Sequence, residues 1–231
     1  MKIAFLHFYT FQLPRGIETL VISLSNELVR KGHSVSILTA RSRPRHEHVV
    51  VDPAVENHEF PTFRYFEHQT IVPFYLWDLL RRDYDVVTIF FSEFGEAFSI
   101  KTAIRIKHFL LNIYLCYTYD NAPHRYHSFL KTGLAQCATR IIADSSHVAK
   151  TAESFFGRPI DLVPVGVDPN RFRPNPEARQ RLRQAYRLRD DDIVLLHVAA
   201  LEKRKGAGRV LEVLPDCARK IPQLKYFVFG C

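Results

Sequence analysis

The sequence predicts an α/β protein: a doubly wound parallel sheet followed by a second, incomplete α/β unit. Three observations carry this expectation. Short apolar runs of strand length alternate with amphipathic helical segments from Lys2 to Val163, the rhythm of β-α-β units with parallel strands. Several of those runs, Asp85–Phe91 (DVVTIFF) among them, have the composition of strands covered on both faces. After Pro174 the rhythm restarts but leaves room for only two more strands before Cys231, too few for helices to cover both faces of a parallel sheet.

The elements follow in order. Lys2–Phe8 (KIAFLHF) reads as the first strand. Past a Pro-Arg-Gly turn, Ile17, Leu20, Val21, Leu24 and Leu28 recur at helical period, with Glu18, Asn26, Glu27, Arg30 and Lys31 opposite and Gly32 as the stop. Ser34–Thr39 closes the first β-α-β unit. The stretch from His46 to Thr70, with its alternating aromatics, fits a strand pair or a mobile loop. The amphipathic PFYLWDLLRR precedes the strand Asp85–Phe91, and Asn112–Tyr117 is the next. Arg140–Ala143 (RIIA) leads into Asp144-Ser145-Ser146, which can cap a helix carrying Val148, Ala152, Phe155 and Phe156 and ending at Gly157. Ile160–Val163 is the last short strand. In LVPVGVDPNRFRP (Leu162–Pro174) the prolines restrict φ and remove N–H donors, which suits a stiff connector. Beyond it come a basic helix over Glu177–Leu188, a strand at Asp192–Val198, a helix over Arg209–Arg219 and a strand at Leu224–Phe229. The expected division is 1–165 for the first domain, 166–189 for linker and helix, and 190–231 for the start of a second domain.

Composition narrows the function classes. With 231 residues, 47% apolar and 24% charged, the chain can bury a substantial core. A net charge of +8 attracts anions, yet the arginines are spread over Arg41–Arg45, Arg81-Arg82, Ala178–Arg189 and Glu202–Lys205, with no base-reading signature, so nucleic acid is not an expected partner. Cys116, Cys137, Cys217 and Cys231 form no C-x-x-C, and no H-E-x-x-H occurs, so neither metal nor cofactor is expected and a reducing cytoplasm suits the chain. The N-terminal MKIAFLHFYTFQL lacks a small-x-small cleavage site. No apolar run approaches the roughly 20 residues of a membrane span. Phe74–Leu80 with Arg81-Arg82 fits either a core helix with a basic last turn or a helix lying in a membrane interface.

Three stretches carry chemistry. In LPRGIETL (Leu13–Leu20), Gly16 stands at a strand-to-helix turn. It is either an approach for an anion to a helix N-terminus or a plain turn glycine with positive φ. In HVAALEKRKGAGRVLEVLP (His197–Pro215), Arg204 and Lys205 precede a second helix N-terminus and suit a diphosphate or a solvated basic turn. In TYDNAPHRYH (Thr118–His127), Asp120 and His124 lie just past a strand's C-terminal end, where ligands of open α/β sheets bind, and are the candidates for acid–base chemistry.

Taken together, KTGLAQCATRIIADSSHVAKTAESFFGRPIDLVPVGVDPNRFRP, the basic helix and DIVLLHVAALEKRKG resemble the retaining nucleotide-sugar glycosyltransferases of family 4. In that family an "adriiadS" entry, a "vPnGVD..rF.P" linker, a strand and "gRl...KG" follow in the same order. PRGIE with GHSVSILT (Gly32–Thr39) resembles the family's "GG.E" and "GHeV.v.t". The resemblance implies the GT-B fold: two Rossmann-like domains, the first binding a glycan or lipid-linked acceptor and the second a nucleotide-sugar. It implies that Gly16 and Lys205 bind the donor diphosphate, whose departure as a leaving group their positive field would assist. The chain departs from the pattern at Arg15, which replaces the first glycine of the pair, and at Ala200, which replaces the arginine of "gRl"; Arg204 is the expected substitute for the latter. Tyr119-Asp120 stands near the family's His-Asp, with His124 a few residues later. The family's paired glutamates are expected beyond Cys231, so the 231-residue chain is expected to turn over slowly or not at all by itself. A non-catalytic glycan- or partner-binding module requiring another subunit is the alternative.

Overall fold

The structure, a computed structural model, describes residues 1–12, 15–41, 50–63, 67–90, 94–116 and 123–230, without the side chains of residues 94–96, 124 and 125. It divides into two compact units, Met1–Gly166 and Val167–Cys231.

The first unit is a parallel sheet with helices on both faces. Its strands are β1 (Lys2–Leu6), β2 (Ser34–Ala40), β3 (Glu56–Phe60), β4 (Val86–Ile89), β5 (Leu110–Leu115), β6 (Arg140–Ala143) and β7 (Asp161–Leu162), in the order β3-β2-β1-β4-β5-β6-β7. Chain order reverses between β1 and β4. There Ile3 and Phe5 of β1 pair with Val35 and Ile37 on one side, while Ala4 and Leu6 pair with Val87 and Ile89 on the other. Because successive residues of a strand point to opposite faces, the core forms two layers. Ile3, Phe5, Val35 and Ile37 join Val21 and Ile22 of α1 (Gly16–Arg30) on one face. Ala4, Leu6, Leu38, Val87, Ile89, Leu111 and Ile113 join the remaining helices on the other. These are α2 (Glu67–Thr70), α3 (Val72–Arg81), α4 (Phe94–Lys107), α5 (Pro123–Lys131), α6 (Leu134–Cys137) and α7 (Ser146–Phe156). Leu111 is fully buried, so truncating it to alanine removes about 2–5 kcal/mol of stability.

Local chemistry sets the helix ends. Gly32, two residues past the end of α1, has φ +84°, a conformation that glycine adopts without strain. The Ser145 side chain accepts a hydrogen bond from the Val148 N–H at the start of α7, and Gly157 closes that helix in the left-handed conformation.

The unassigned stretch from His46 to Thr70 resolves within its described residues into the edge strand β3 and the short α2, with residues 46–49 and 64–66 outside the description. Edge strand β3 is fastened to α3 by a polar cluster. His58 Nδ1 lies 2.9 Å from Asp78 Oδ2, Arg82 donates to Glu56 at 2.8 Å, and the Tyr84 hydroxyl donates to Asp78 at 2.8 Å. Burial pushes the Tyr84 phenol upward, so it stays a neutral donor. The segment Phe74–Leu80 is a core helix: Tyr75, Asp78 and Leu79 are buried and Phe74, Leu76 and Leu80 pack against the core.

The second unit contains α8 (Pro176–Ala185), β8 (Ile193–Val198), a 3₁₀ turn at Lys203–Lys205, α9 (Ala207–Lys220) and β9 (Leu224–Phe229). β8 and β9 are parallel, with Ile193 opposite Leu224 and Val198 opposite Phe229. Tyr186, after α8, packs edge-on against Phe227 at 5.2 Å. Asp192 is buried and accepts the Arg189 N–H at 2.7 Å, and that bond holds its carboxyl below the usual carboxylate range. Both β8 and β9 retain exposed apolar residues, Leu196 and Val198 most of all.

Candidate functional site

In an open doubly wound sheet, ligands bind beyond the C-terminal strand ends at the point where strand order reverses. Here that point lies above β1 and β4, and the connection from β1 to α1 crosses it.

His7, just past β1, is 2% exposed, and its ring stands edge-on to Phe90. The Thr10 hydroxyl donates to the His7 carbonyl at 3.0 Å and also lies 3.1 Å from His7 Nδ1. Having one proton, and having committed it, that hydroxyl can only accept from Nδ1–H, which leaves Nε2 as the acceptor of the neutral ring. Across the connection, the Tyr9 hydroxyl is 3.0 Å from His68 Nε2 of α2, and the His68 ring lies 4.2 Å from that of Phe8. An imidazole and a phenol from distant parts of the chain thus share this edge of the sheet.

Gly16 opens α1 with Arg15 as the N-cap, and the Arg15 side chain makes no capping hydrogen bond. The turn-glycine alternative is corrected: Gly16 is not among the positive-φ glycines. A Cβ added there would meet nothing within 4 Å. Among the described residues, neither backbone strain nor crowding therefore calls for glycine at the helix end, where backbone N–H groups and a partial positive charge gather. Glu18, two residues on, is 4% exposed, and burial raises its pKa, only partly offset by its own backbone N–H and by Arg15.

Farther along the same edge, the Tyr114 hydroxyl donates to the Val163 carbonyl at 3.2 Å, tying the start of the connector to the sheet. Burial, then the charge of Asp144, pushes Tyr114 up to about 12. Asp144 Oδ1 is buried without a hydrogen-bond partner among the described residues. Asp120 lies outside the described residues; His124 falls in the first turn of α5, with its side chain outside the description. The connector carries its own turn: Asp168 Oδ1 accepts from the N–H of Asn170 at 2.9 Å, which leads the chain out of VGVD.

In the second unit, Lys203, Arg204 and Lys205 are all exposed, and Gly206, at φ +82°, turns the chain into α9. Arg204 Nε donates to Glu202 Oε2 at 2.5 Å, which diverts part of its charge. Lys205 carries no ion pair among the described residues and remains the less encumbered cation. Among the described residues no three His, Cys, Asp or Glu side chains are grouped to hold a metal ion, and no helix is long and apolar enough to cross a membrane.

The sequence pattern pointed to Gly16, Arg204 and Lys205. It did not single out His7, Glu18 or the Tyr9–His68 pair, because apolar-run and periodicity counts treat a polar residue at a strand or helix end as a boundary. The one available signal was positional: a histidine directly after a buried strand and a glutamate in a helix's first turn.

Comparison with known proteins agrees with this architecture. The GDP-mannose-dependent alpha-(1-6)-phosphatidylinositol monomannoside mannosyltransferase of Mycolicibacterium smegmatis is 35% identical over 71 residues, covering 31% of this chain and 18% of that protein. Its counterpart in Mycobacterium tuberculosis is 34% identical over 88 residues, 37% of this chain and 23% of that protein. Among solved structures, Anabaena HepE in complex with UDP and glucose matches 99% of this chain with a TM-score of 0.72 at 18% identity. Sucrose-phosphate synthase from Thermosynechococcus elongatus matches the same share with a TM-score of 0.72 at 18% identity. The chain spans 60% and 62% of those two structures. The profile of Glycosyltransferase Family 4 matches residues 14–171, more than half of the sequence. The chain belongs to Glycosyltransferase Family 4.

Proposed function

We propose that the protein transfers a sugar from a nucleotide-sugar to a glycan or lipid-linked acceptor, with retention of anomeric configuration and without a metal ion. The observation that carries this is the N-terminus of α1, lying at the strand-order reversal with Gly16 uncrowded among the described residues, in a chain of Glycosyltransferase Family 4. Glycosyl transfer leaves a nucleoside diphosphate, and backbone N–H groups fixed at a helix N-terminus stabilise its developing charge. Each unit offers such an anchor: Gly16 at α1 in the first, and Lys205 ahead of α9 in the second. Acceptor binding falls to the edge formed by His7, Tyr9 and His68, where hydroxyl groups would find imidazole and phenol partners. Asp120 and His124 remain candidates for acid–base work at the neighbouring strand end.

The relatives in Mycolicibacterium and Mycobacterium use GDP-mannose and a phosphatidylinositol mannoside, which makes this donor and acceptor type the first pair to test. A screen of GDP- and UDP-sugars with phosphatidylinositol and glycan acceptors, with the product anomer read by NMR, provides the test. Transfer with retention and without added metal supports the proposal; inversion, or dependence on a divalent ion, contradicts it.

A cytoplasmic protein acting on lipid-linked acceptors would touch the membrane at its surface. The outward part of α3 that suits such contact is Trp77, 54% exposed, with the Arg81 guanidinium 4.9 Å over its ring. Co-sedimentation with anionic liposomes should fall on Trp77→Ala and on Arg81→Glu; equal binding by both variants and the parent chain removes α3 from consideration.

A further inference from the structure

The turn from β1 into α1 holds two charged groups to which the proposed function gives no task. Arg15, the N-cap residue, is exposed. Glu18 is 4% exposed, and its carboxyl is turned back onto its own backbone N–H at the same end of the helix. Its second oxygen, Oε2, is buried with no hydrogen-bond partner among the described residues. Between the two, a Cβ at Gly16 would meet nothing within 4 Å among the described residues.

Neither the lone Glu18 Oε2 nor Gly16 serves the stability of the turn. A buried acceptor without a donor costs about 1–3 kcal/mol. A glycine where φ is ordinary forgoes helix propensity by up to about 1 kcal/mol relative to alanine. The N-cap position favours Ser, Thr, Asp or Asn, none of which is present. What the turn does provide is electrostatic: an exposed guanidinium at the positive end of a helix, with one buried carboxylate in the same turn.

We propose that Arg15 is a phosphate-binding residue for the donor diphosphate, and that Glu18 is its buried counter-charge, limiting how tightly the diphosphate is held. The proposal rests on the assignment of α1's N-terminus to the diphosphate. Arg15 stands where the family resemblance places the first glycine of a pair, so this turn carries a cation that the family pattern does not. A guanidinium takes phosphate oxygens in a forked pair of charge-assisted bonds, and the N–H groups of α1 lie beside it. Glu18, near enough that the positive charge of Arg15 lowers its pKa, opposes the incoming anion. A site built this way captures a diphosphate and also releases it, as turnover requires.

The test is titration of the 231-residue chain with sodium pyrophosphate and with GDP at low ionic strength, by calorimetry or by the amide shift of Gly16. Arg15→Gly should weaken binding about tenfold or more, Arg15→Gln nearly as much, and Arg15→Lys less. Glu18→Gln should tighten binding several-fold. Such opposite signs at neighbouring positions are not the mark of a merely structural role, and circular dichroism establishes that each variant is folded. If pyrophosphate binds, and Lys205→Ala weakens it while Arg15→Gly and Arg15→Gln leave it within twofold, the inference falls and the diphosphate assignment stands. If the parent chain binds neither ligand, both fall. Weaker binding by Glu18→Gln overturns the counter-charge role.

Discussion

At the scale of single residues, polar groups carry the information that apolar patterning lacks. Glu18 is the clearest case. Its folded pKa is raised above the ordinary 4.5 chiefly by burial, so below the carboxylate range it is protonated in both states and neutral to stability. As pH rises past the unfolded pKa, the unfolded chain releases its proton first, and folding stability falls until the folded pKa is passed. Glu18→Gln should therefore stabilise the first unit by about 1–2 kcal/mol at neutral pH, a gain that shrinks toward zero in acid. Urea unfolding across a pH series measures this, and a gain independent of pH would contradict it. The basic turn of the second unit offers another contrast. Arg204 is engaged by Glu202 while Lys205 has no ion pair among the described residues, so Lys205→Ala should lower kcat/KM by about a hundredfold, the scale of losing one charge-stabilising donor. Arg204→Ala should cost less than a tenth of that loss, and equal losses would show that Arg204 leaves Glu202 to replace the family arginine missing at Ala200.

At the scale of elements, glycines of different kinds separate folding from function. Gly157 closes α7 at φ +63° and donates its N–H to the Glu153 carbonyl, so Gly157→Ala forces a side chain into the left-handed region at about 1–2 kcal/mol. Gly16→Ala meets neither strain nor neighbours among the described residues and should leave the melting temperature unchanged or slightly raised while weakening diphosphate binding. A melting temperature lowered by Gly16→Ala would return that residue to a structural role. Element types were readable where periodicity was clean: α1, α7, β6 and β9 lie where the apolar pattern and the turn residues place them. Helix α4 was not readable, because its apolar residues surround it: Ile100 and Ala103 are buried while Phe98 and Ile106 are exposed. Edge strand β3 (ENHEF) was ambiguous for a related reason, since its polar residues are anchored by Asp78 of α3 and by Arg82 just past that helix, partners distant in sequence.

At the scale of the whole molecule, the two units differ in how well they are covered. The first packs helices on both faces of its sheet, whereas β8 and β9 in the second keep exposed apolar residues. Amide exchange should accordingly be slow at β1, β4 and β5 and faster by orders of magnitude at β8 and β9, since local opening follows the apolar surface an element buries; equal protection in the two sheets would contradict this. The sequence by itself determined the alternation of strands and helices, the stiff connector after Val163, the restart beyond Pro174 and the family resemblance, because these are properties of neighbouring residues: period, turn chemistry and motif order. Only the tertiary structure decided which strands adjoin, and so placed the strand-order reversal between β1 and β4. It also brought His68 to Tyr9 and, among the described residues, buried Glu18 without a partner for Oε2 and left Gly16 uncrowded. Those facts depend on contacts between residues far apart in the chain, for which local sequence carries no signal.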